Sequence, residues 1–215
     1  MNLEPYYQTN LGKLYLGDAK DILPQLEEDS IDLVITDPPY IKEYIHTYSY
    51  LADLCPILMK RGASLLTIAA HHAIPEVCKY FDGKLKYRWA ICMNQSNGSH
   101  SRMMMGIHVM WKPMLWYVKK VFAIKKYKGF IYDMIDIKKK DGQEKAYHKW
   151  QQSQDWCYYY INRLSLENEI ILDPFMGSGT VAIVCEKLNR NWIGIEISKE
   201  YCDIIIRRLE NELSS

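Results

Sequence analysis

Ile170-Ile171-Leu172-Asp173-Pro174-Phe175-Met176-Gly177-Ser178-Gly179-Thr180-Val181-Ala182 carries an apolar run into a glycine turn and on into a helical stretch. Strand, turn and helix in that order make a nucleotide-type loop. The glycines admit close approach of a ligand to the backbone, and the first helical turn presents N–H groups that have no intrahelical partner. The next apolar run, Trp192 to Glu196, ends in an acid nineteen residues after Gly177, where the hydroxyls of a ribose would be hydrogen-bonded, with Ile197 beside it. Loop and acid together read as one adenosine site on a βαβ unit.

The same alternation extends outward in both directions. Lys13–Asp18 reads as a strand, Ala19–Leu26 as a short helix and Ile31–Thr36 as a buried strand. A helix over Tyr48–Met59 stopped by Gly62, a strand Ala63–Ala70, a helix Ile74–Phe81 and a strand Tyr87–Met93 follow. After the irregular middle of the chain come helices over Asp155–Leu164, Thr180–Leu188 and Lys199–Glu212, with strands Glu169–Asp173 and Trp192–Glu196 between them. This is an α/β pattern with a mostly parallel sheet flanked by helices. At 215 residues and 48% hydrophobic content it fits a single domain over 1–215. Tyr158-Tyr159-Tyr160 reads as core packing.

Composition excludes several classes. A net charge of +1 argues against a wholly basic coat protein for nucleic acid. The six cysteines lack Cys-x-x-Cys spacing and read as reduced core residues. No His, Cys or Asp cluster has metal-ligand spacing, so no metal is expected, and His71-His72 reads as a strand-end or surface pair. The start Met1-Asn2-Leu3-Glu4-Pro5 lacks a leader pattern, and no apolar stretch approaches the ~20 residues that span a bilayer. The expectation is a cytoplasmic protein without membrane attachment.

Two further segments carry chemistry. Asp37-Pro38-Pro39-Tyr40 follows the buried strand directly. Asp37 offers an acceptor to an amino group, Pro39 keeps the Pro38 carbonyl out of a helix, and Tyr40 offers a ring face; alone, the tetrapeptide reads equally well as a turn. Between Lys112 and Lys149 stand eleven lysines against four acids, a local balance of +7, interleaved with Tyr117, Phe122, Tyr127, Phe130, Tyr132, Tyr147 and Trp150. Lys119, Lys120, Lys125, Lys126, Lys128, Lys138, Lys139 and Lys140 form its densest part and suit phosphate neutralisation, with aromatics for stacking. An edge hairpin guarded by lysines is the structural alternative. A small basic target-recognition insertion at about 94–150 is expected.

The glycine loop leaves two cofactors open. Gly177-x-Gly179-x-x-Ala182 with Glu196 satisfies the dinucleotide fingerprint, so an NAD-dependent oxidoreductase fits the spacing. A phosphate loop for ATP lacks its lysine, because Gly179 precedes Thr180. Asp173 and Phe175 put an acid and an aromatic where a pyrophosphate favours neither, whereas a carboxylate suits a cationic cofactor with an amino-acid tail. S-adenosylmethionine fits that description better.

With Asp37 to Tyr40 and Asp173 to Thr180 both present, the chain resembles the amino-group DNA methyltransferases, which methylate adenine N6 or cytosine N4. The resemblance covers about Lys13 to Ala70 and Glu169 to Glu212. It implies a Rossmann-like S-adenosylmethionine-dependent methyltransferase fold with the circularly permuted, β-type motif order, since the catalytic segment precedes the cofactor segment. It further implies that Asp37, Pro38, Pro39 and Tyr40 are catalytic, with Asp37 also beside the cofactor, and that Asp173, Phe175, Gly177, Ser178, Gly179 and Thr180 form the cofactor loop. Glu196 becomes the ribose acid, and Asp18 and Ala19 meet the cofactor adenine. Where many relatives carry Thr-Gln-Lys-Pro, this chain has Trp150-Gln151-Gln152-Ser153, a variant similar to those of small, often phage-borne members, and the resemblance implies that Gln152 and Ser153 take the methionine tail. An aspartate at the start of the cup is commoner in adenine enzymes. The implied activity is site-specific transfer to N6 of a flipped-out adenine in double-stranded DNA, with N4 of cytosine, an RNA base or NAD chemistry as alternatives. A homodimer and a cognate restriction nuclease are compatible with this class.

Overall fold

The computed structural model describes residues 3–39, 42–95, 101–104, 106–121, 129–137 and 154–213. In chain order the elements are β1 (Tyr7–Gln8), β2 (Gly12–Leu16), α1 (Ala19–Ile22), β3 (Ile31–Thr36), α2 (Thr47–Leu58), β4 (Met59–Ile68), α3 (Ile74–Phe81) and β5 (Lys86–Asn94). There follow β6 (Ser101–Met104), β7 (Ile107–Val109), β8 (Trp111–Val118), β9 (Met134–Asp136), α4 (Asp155–Leu164), β10 (Ile170–Asp173), α5 (Thr180–Lys187), β11 (Asn191–Glu196) and α6 (Lys199–Leu213). Nine strands form one sheet in the order β1-β2-β11-β10-β3-β4-β8-β5-β9, and β6 pairs with β7 apart from it.

Strand β3 is buried along its whole length, as a central parallel strand covered on both faces must be. Leu33 and Ile35 pack with Trp156, Tyr160, Ile161, Val184, Cys202 and Ile205 of α4, α5 and α6. Val34 packs on the opposite face with Leu51, Cys55 and Val77 of α2 and α3. Neighbouring β3 and β10 run parallel, Ile171 beside Leu33 and Leu172 beside Val34. From β10 the chain crosses through α5 to β11 on one side, and from β3 through α2 to β4 on the other. The crevice beyond the carboxyl ends of β3 and β10 is therefore the topological switch point, where open α/β sheets hold their ligands. The N-terminal strand β2 lies outside β11 with Ile195 beside Tyr15, so an early segment completes the cofactor-loop half of the sheet.

Helices α3 and α4 have the boundaries their apolar periodicity predicts. Other expectations are corrected. Gly62 does not stop α2, which ends at Leu58; it sits inside β4 with φ +86, where the pairing to β3 slips from Met59 to Ser64. A left-handed glycine at a register slip is a bulge. The segment 94–150 is not wholly an insertion, because β8 lies between β4 and β5 and buries Met114, Leu115, Trp116, Tyr117 and Val118. Of the three tyrosines, Tyr160 is buried, but Tyr158 is exposed.

Gly12 is fixed by packing. A Cβ there would lie 1.9 Å from the ring of Trp192, whose Nε1 donates to Glu186 Oε1 at 2.8 Å and so cannot swing away freely. Gly12→Ala is expected to cost about 1–3 kcal/mol through overpacking. A fall in the denaturant midpoint without a change of slope checks it.

Candidate active site

The carboxyl ends of β3 and β10 open on a cavity of about 740 Å³. Its walls bring together segments far apart in sequence: Gly17 to Lys20 after β2, Thr36 to Pro39 after β3, Asp173 to Ser178 after β10, and Ile195 to Ile197 at the end of β11. The link between the two main segments is direct. Thr36 Oγ1 donates to Asp173 Oδ1 at 2.7 Å inside the protein, and the Phe175 N–H donates to the same oxygen at 3.1 Å.

The glycine loop is held from three sides. Gly177 N–H donates to Glu196 Oε2 at 2.8 Å, and Met176 N–H donates to the Ile195 carbonyl at 2.9 Å. Arg208 of α6, almost fully buried, donates through Nη1 to the Ser178 carbonyl and to Ser178 Oγ at 3.1 Å. Gly179 has φ +82, and a Cβ on it would lie 2.9 Å from Ile205, so glycine alone fits where α5 begins. Glu196 Oε1 accepts from Ser198 N–H at 2.9 Å. Each Glu196 oxygen thus keeps a lone pair for a ligand hydroxyl. Asp18 caps α1 by accepting from Lys20 N–H at 3.0 Å.

Four carboxylates, Asp18, Asp37, Asp173 and Glu196, line this one cavity. Burial pushes Asp173 up to about 7; the hydrogen bonds from Thr36 and Phe175 oppose the rise, and the charges of Asp37 and Glu196 add to it. Burial also raises Glu196, against backbone N–H groups of Ser198, Gly177 and Ile197. Since Asp173 is raised in the folded state, the native protein keeps a proton that the unfolded chain has lost between about pH 4 and pH 7. Stability must fall as pH rises through that window and level off above it. The melting temperature is expected to drop by several degrees from about pH 5 to about pH 8, and Asp173→Asn to shrink that drop, as a thermal scan at each pH would record.

Of the expected site residues, Asp18, Ala19, Asp37, Pro38, Pro39, Asp173, Phe175, Gly177, Ser178, Thr180, Glu196 and Ile197 all line the cavity, and Gly179 supports the turn from behind. Tyr40, Gln152, Ser153, Lys125, Lys126, Lys128, Lys138, Lys139 and Lys140 lie outside the described residues. Lys119 and Lys120 do not join the site. They follow β8 at the end of the sheet away from the cavity, where Lys119 Nζ pairs with Asp29 Oδ1 at 2.5 Å and donates to the Met59 carbonyl at 2.6 Å. That is a structural tie for Lys119, while Lys120 is exposed.

Sequence reasoning missed an aromatic wall of Tyr44, His46 and Tyr50. The i, i+4 spacing of His46 and Tyr50 at the start of α2, with ring centroids 5.6 Å apart, was its available signal. It also missed Trp156, which lines the cavity from α4 with an indole N–H that has no hydrogen-bond partner among the described residues. Among the described residues no group of His, Cys, Asp and Glu could hold a metal, and no helix is long and apolar enough to cross a membrane.

A doubly wound sheet with an acid-lined cavity at its switch point, a glycine loop tied to an acid, and a second acidic segment beside them defines a nucleotide-type binding architecture. The DNA methylase family model for the N6/N4 class matches residues 31–207, and the chain belongs to that family. The type II methyltransferase M.BamHI of Bacillus amyloliquefaciens is 25% identical over an alignment of 260 residues that takes in 98% of this chain and 60% of that protein, so the chain spans less than two thirds of it. Among solved structures, the PvuII DNA methyltransferase, described as cytosine-N4-specific, matches with a TM-score of 0.82 at 20% identity over 99% of this chain and 94% of that one. M1.HpyAVI, solved as a complex with SAM, matches with a TM-score of 0.72 at 26% identity over 93% of this chain and 100% of that one. The fold is that of the S-adenosylmethionine-dependent DNA methyltransferases.

Proposed function

We propose that this protein transfers a methyl group from S-adenosylmethionine to the exocyclic N6 of an adenine flipped out of double-stranded DNA. The observation that carries the reading is the Thr36–Asp173 hydrogen bond of 2.7 Å, which joins the Asp37 cup and the glycine loop across one cavity. The cavity's size lies within the roughly 300–1,000 Å³ usual for small-molecule sites, and its four carboxylates suit a ligand bearing a sulfonium and an ammonium.

In this reading Glu196 accepts from the ribose hydroxyls, while Asp18, Ala19 and Ile197 flank the adenine. The loop from Asp173 to Thr180 holds the amino-acid tail together with Gln152 and Ser153. When bound, S-adenosylmethionine supplies an electrophilic methyl on a cationic sulfur. The protein's own task is to localise the amine lone pair, which is delocalised into the base. Asp37 and the Pro38 carbonyl accept the two amino N–H groups, which favours a pyramidal nitrogen, and Asp37 is placed to take the proton released after transfer. Positioning supplies most of the acceleration, for which up to about 7–11 kcal/mol is available in favourable cases. Extruding the base costs a few kcal/mol, and stacking on Tyr40 returns about 1–3 kcal/mol. The phosphate grip falls to the lysines of 119–140, and a homodimer and a cognate nuclease remain part of the proposal.

Cytosine presents the same amino group to the same acceptors, so N4 transfer is the second reading, favoured by the likeness in fold to a cytosine-N4-specific enzyme. Methylated plasmid digested to nucleosides and resolved by mass tests the choice. N6-methyldeoxyadenosine is expected, and N4-methyldeoxycytidine would overturn the base assignment.

A further inference from the structure

Asp37 has the cofactor-side cavity on one flank and a cation on the other. Lys112 Nζ lies 4.0 Å from Asp37 Oδ2, with both side chains about a quarter exposed (25% and 24%). The lysine comes from the start of β8, beyond β4, on the side of β3 opposite β10 and β11. Its backbone is anchored rather than part of a loose arm. Ala69 N–H donates to the Pro113 carbonyl at 3.0 Å, and His71 Nε2 donates to the Trp111 carbonyl at 2.9 Å. The His71 ring also stands edge-on to Trp111, with centroids 4.6 Å apart and planes at 89°. Lys112 and Lys119 stand seven positions apart along β8 and its end, roughly 23 Å at the strand rise of ~3.3 Å per residue, so the basic segment splits into an end beside Asp37 and an end remote from it.

A partly exposed ion pair at 4.0 Å adds little to stability and has not closed to hydrogen-bond length. The pair is, however, an acceptor beside a donor. Adenine and cytosine both present an amino donor next to a ring-nitrogen acceptor, N1 or N3, on the edge that carries the reacting group. We propose that Lys112 is a base-recognition residue whose ammonium donates a hydrogen bond to that ring nitrogen while Asp37 holds the amino group. This rests on the methyl-transfer reading above. The role is selection, not acceleration, because a donor on the ring nitrogen draws electron density away from the amine. A thymine offered at the same place would set its carbonyl against Asp37 and its N3–H against the ammonium, a mismatch at both groups.

The test is a cycle between protein and base. Wild type and Lys112→Met are compared on a duplex carrying the mapped methylation site and on the same duplex with 1-deazaadenine at the target, or 3-deazacytosine if the nucleoside proves to be cytosine. Lys112→Met is expected to lower kcat/KM on the natural duplex by about 10- to 100-fold, as loss of a charged hydrogen bond does. Deletion of the ring nitrogen should lower wild type by a similar factor, and the two losses together should be no greater than either alone. Lys112→Arg should recover part of the natural-duplex activity. A full second loss for Lys112→Met on the deaza duplex would overturn the proposal, since a lysine that merely oriented Asp37 would affect both bases alike. No loss on the natural duplex would overturn it too. Wild type that methylates no DNA would instead sink the underlying function, so the two failures are distinct.

Discussion

Asp37→Ala is expected to lower methyl transfer by about three orders of magnitude or more while leaving S-adenosylmethionine affinity within a few-fold of wild type. The asymmetry follows from where Asp37 stands. The loop of Asp173 to Thr180 is organised by Thr36, Arg208 and Glu196, none of which needs the Asp37 side chain. Its pairing with Lys112 at 4.0 Å is partly exposed, so its loss should cost little stability. On the proposed mechanism, what disappears is the acceptor that orients the amine and receives its proton. Asp37→Asn keeps one acceptor oxygen and should recover part of the rate. A secondary effect checks the geometry independently: the charge of Asp37 helps to raise Asp173, so either variant should bring the Asp173 titration down from its position at about 7. Single-turnover transfer paired with calorimetric cofactor binding measures the first effect. Near-normal turnover by Asp37→Ala would remove Asp37 from the mechanism.

Glu196→Ala carries the second large effect, of opposite kind. Both carboxylate oxygens are engaged by backbone N–H groups, Gly177 at 2.8 Å and Ser198 at 2.9 Å, and the residue is 8% exposed. Removing the side chain frees the glycine loop from the end of β11 and, on the proposed reading, deprives the ribose hydroxyls of their acceptor. Two charge-assisted hydrogen bonds at about 1.5–3 kcal/mol each imply cofactor affinity weaker by about 100-fold or more. The two stranded N–H groups add a stability loss of about 1–3 kcal/mol each where water does not reach them. Glu196→Gln should lie between, because its amide oxygen satisfies one of the two donors. Titration calorimetry below the melting temperature of each variant separates lost affinity from lost fold.

The parts of this architecture with strong local physics were legible from the residues. The run Ile170 to Ala182 reads as strand, turn and helix because apolar period, glycine placement and helix start agree, and the structure closes that loop on Glu196 as its spacing implied. The Thr36–Asp173 contact was not legible. It joins positions 137 residues apart, and only the neighbouring of β3 and β10 creates it. Strand β8 was legible only in part for a related reason. Val109 to Val118 reads from its residues as a strand pair or hairpin element, but it opens the lysine-rich segment, and nothing local says that it slots antiparallel between β4 and β5. The same misplacement hid the difference between Lys112 and Lys119, alike in composition and set at opposite ends of one strand.

The central claim is that the Asp37 cup and the glycine loop are two halves of one site at which a DNA base meets a methyl donor. Transfer of tritium from the methyl group of labelled S-adenosylmethionine, with duplex DNA, RNA and a protein lysate offered in separate reactions, tests it most directly. The expected result is stable label in the duplex DNA and none in the other two, with the DNA signal lost in Asp37→Ala. Label confined to RNA or protein, or a DNA signal that survives Asp37→Ala unchanged, would contradict it.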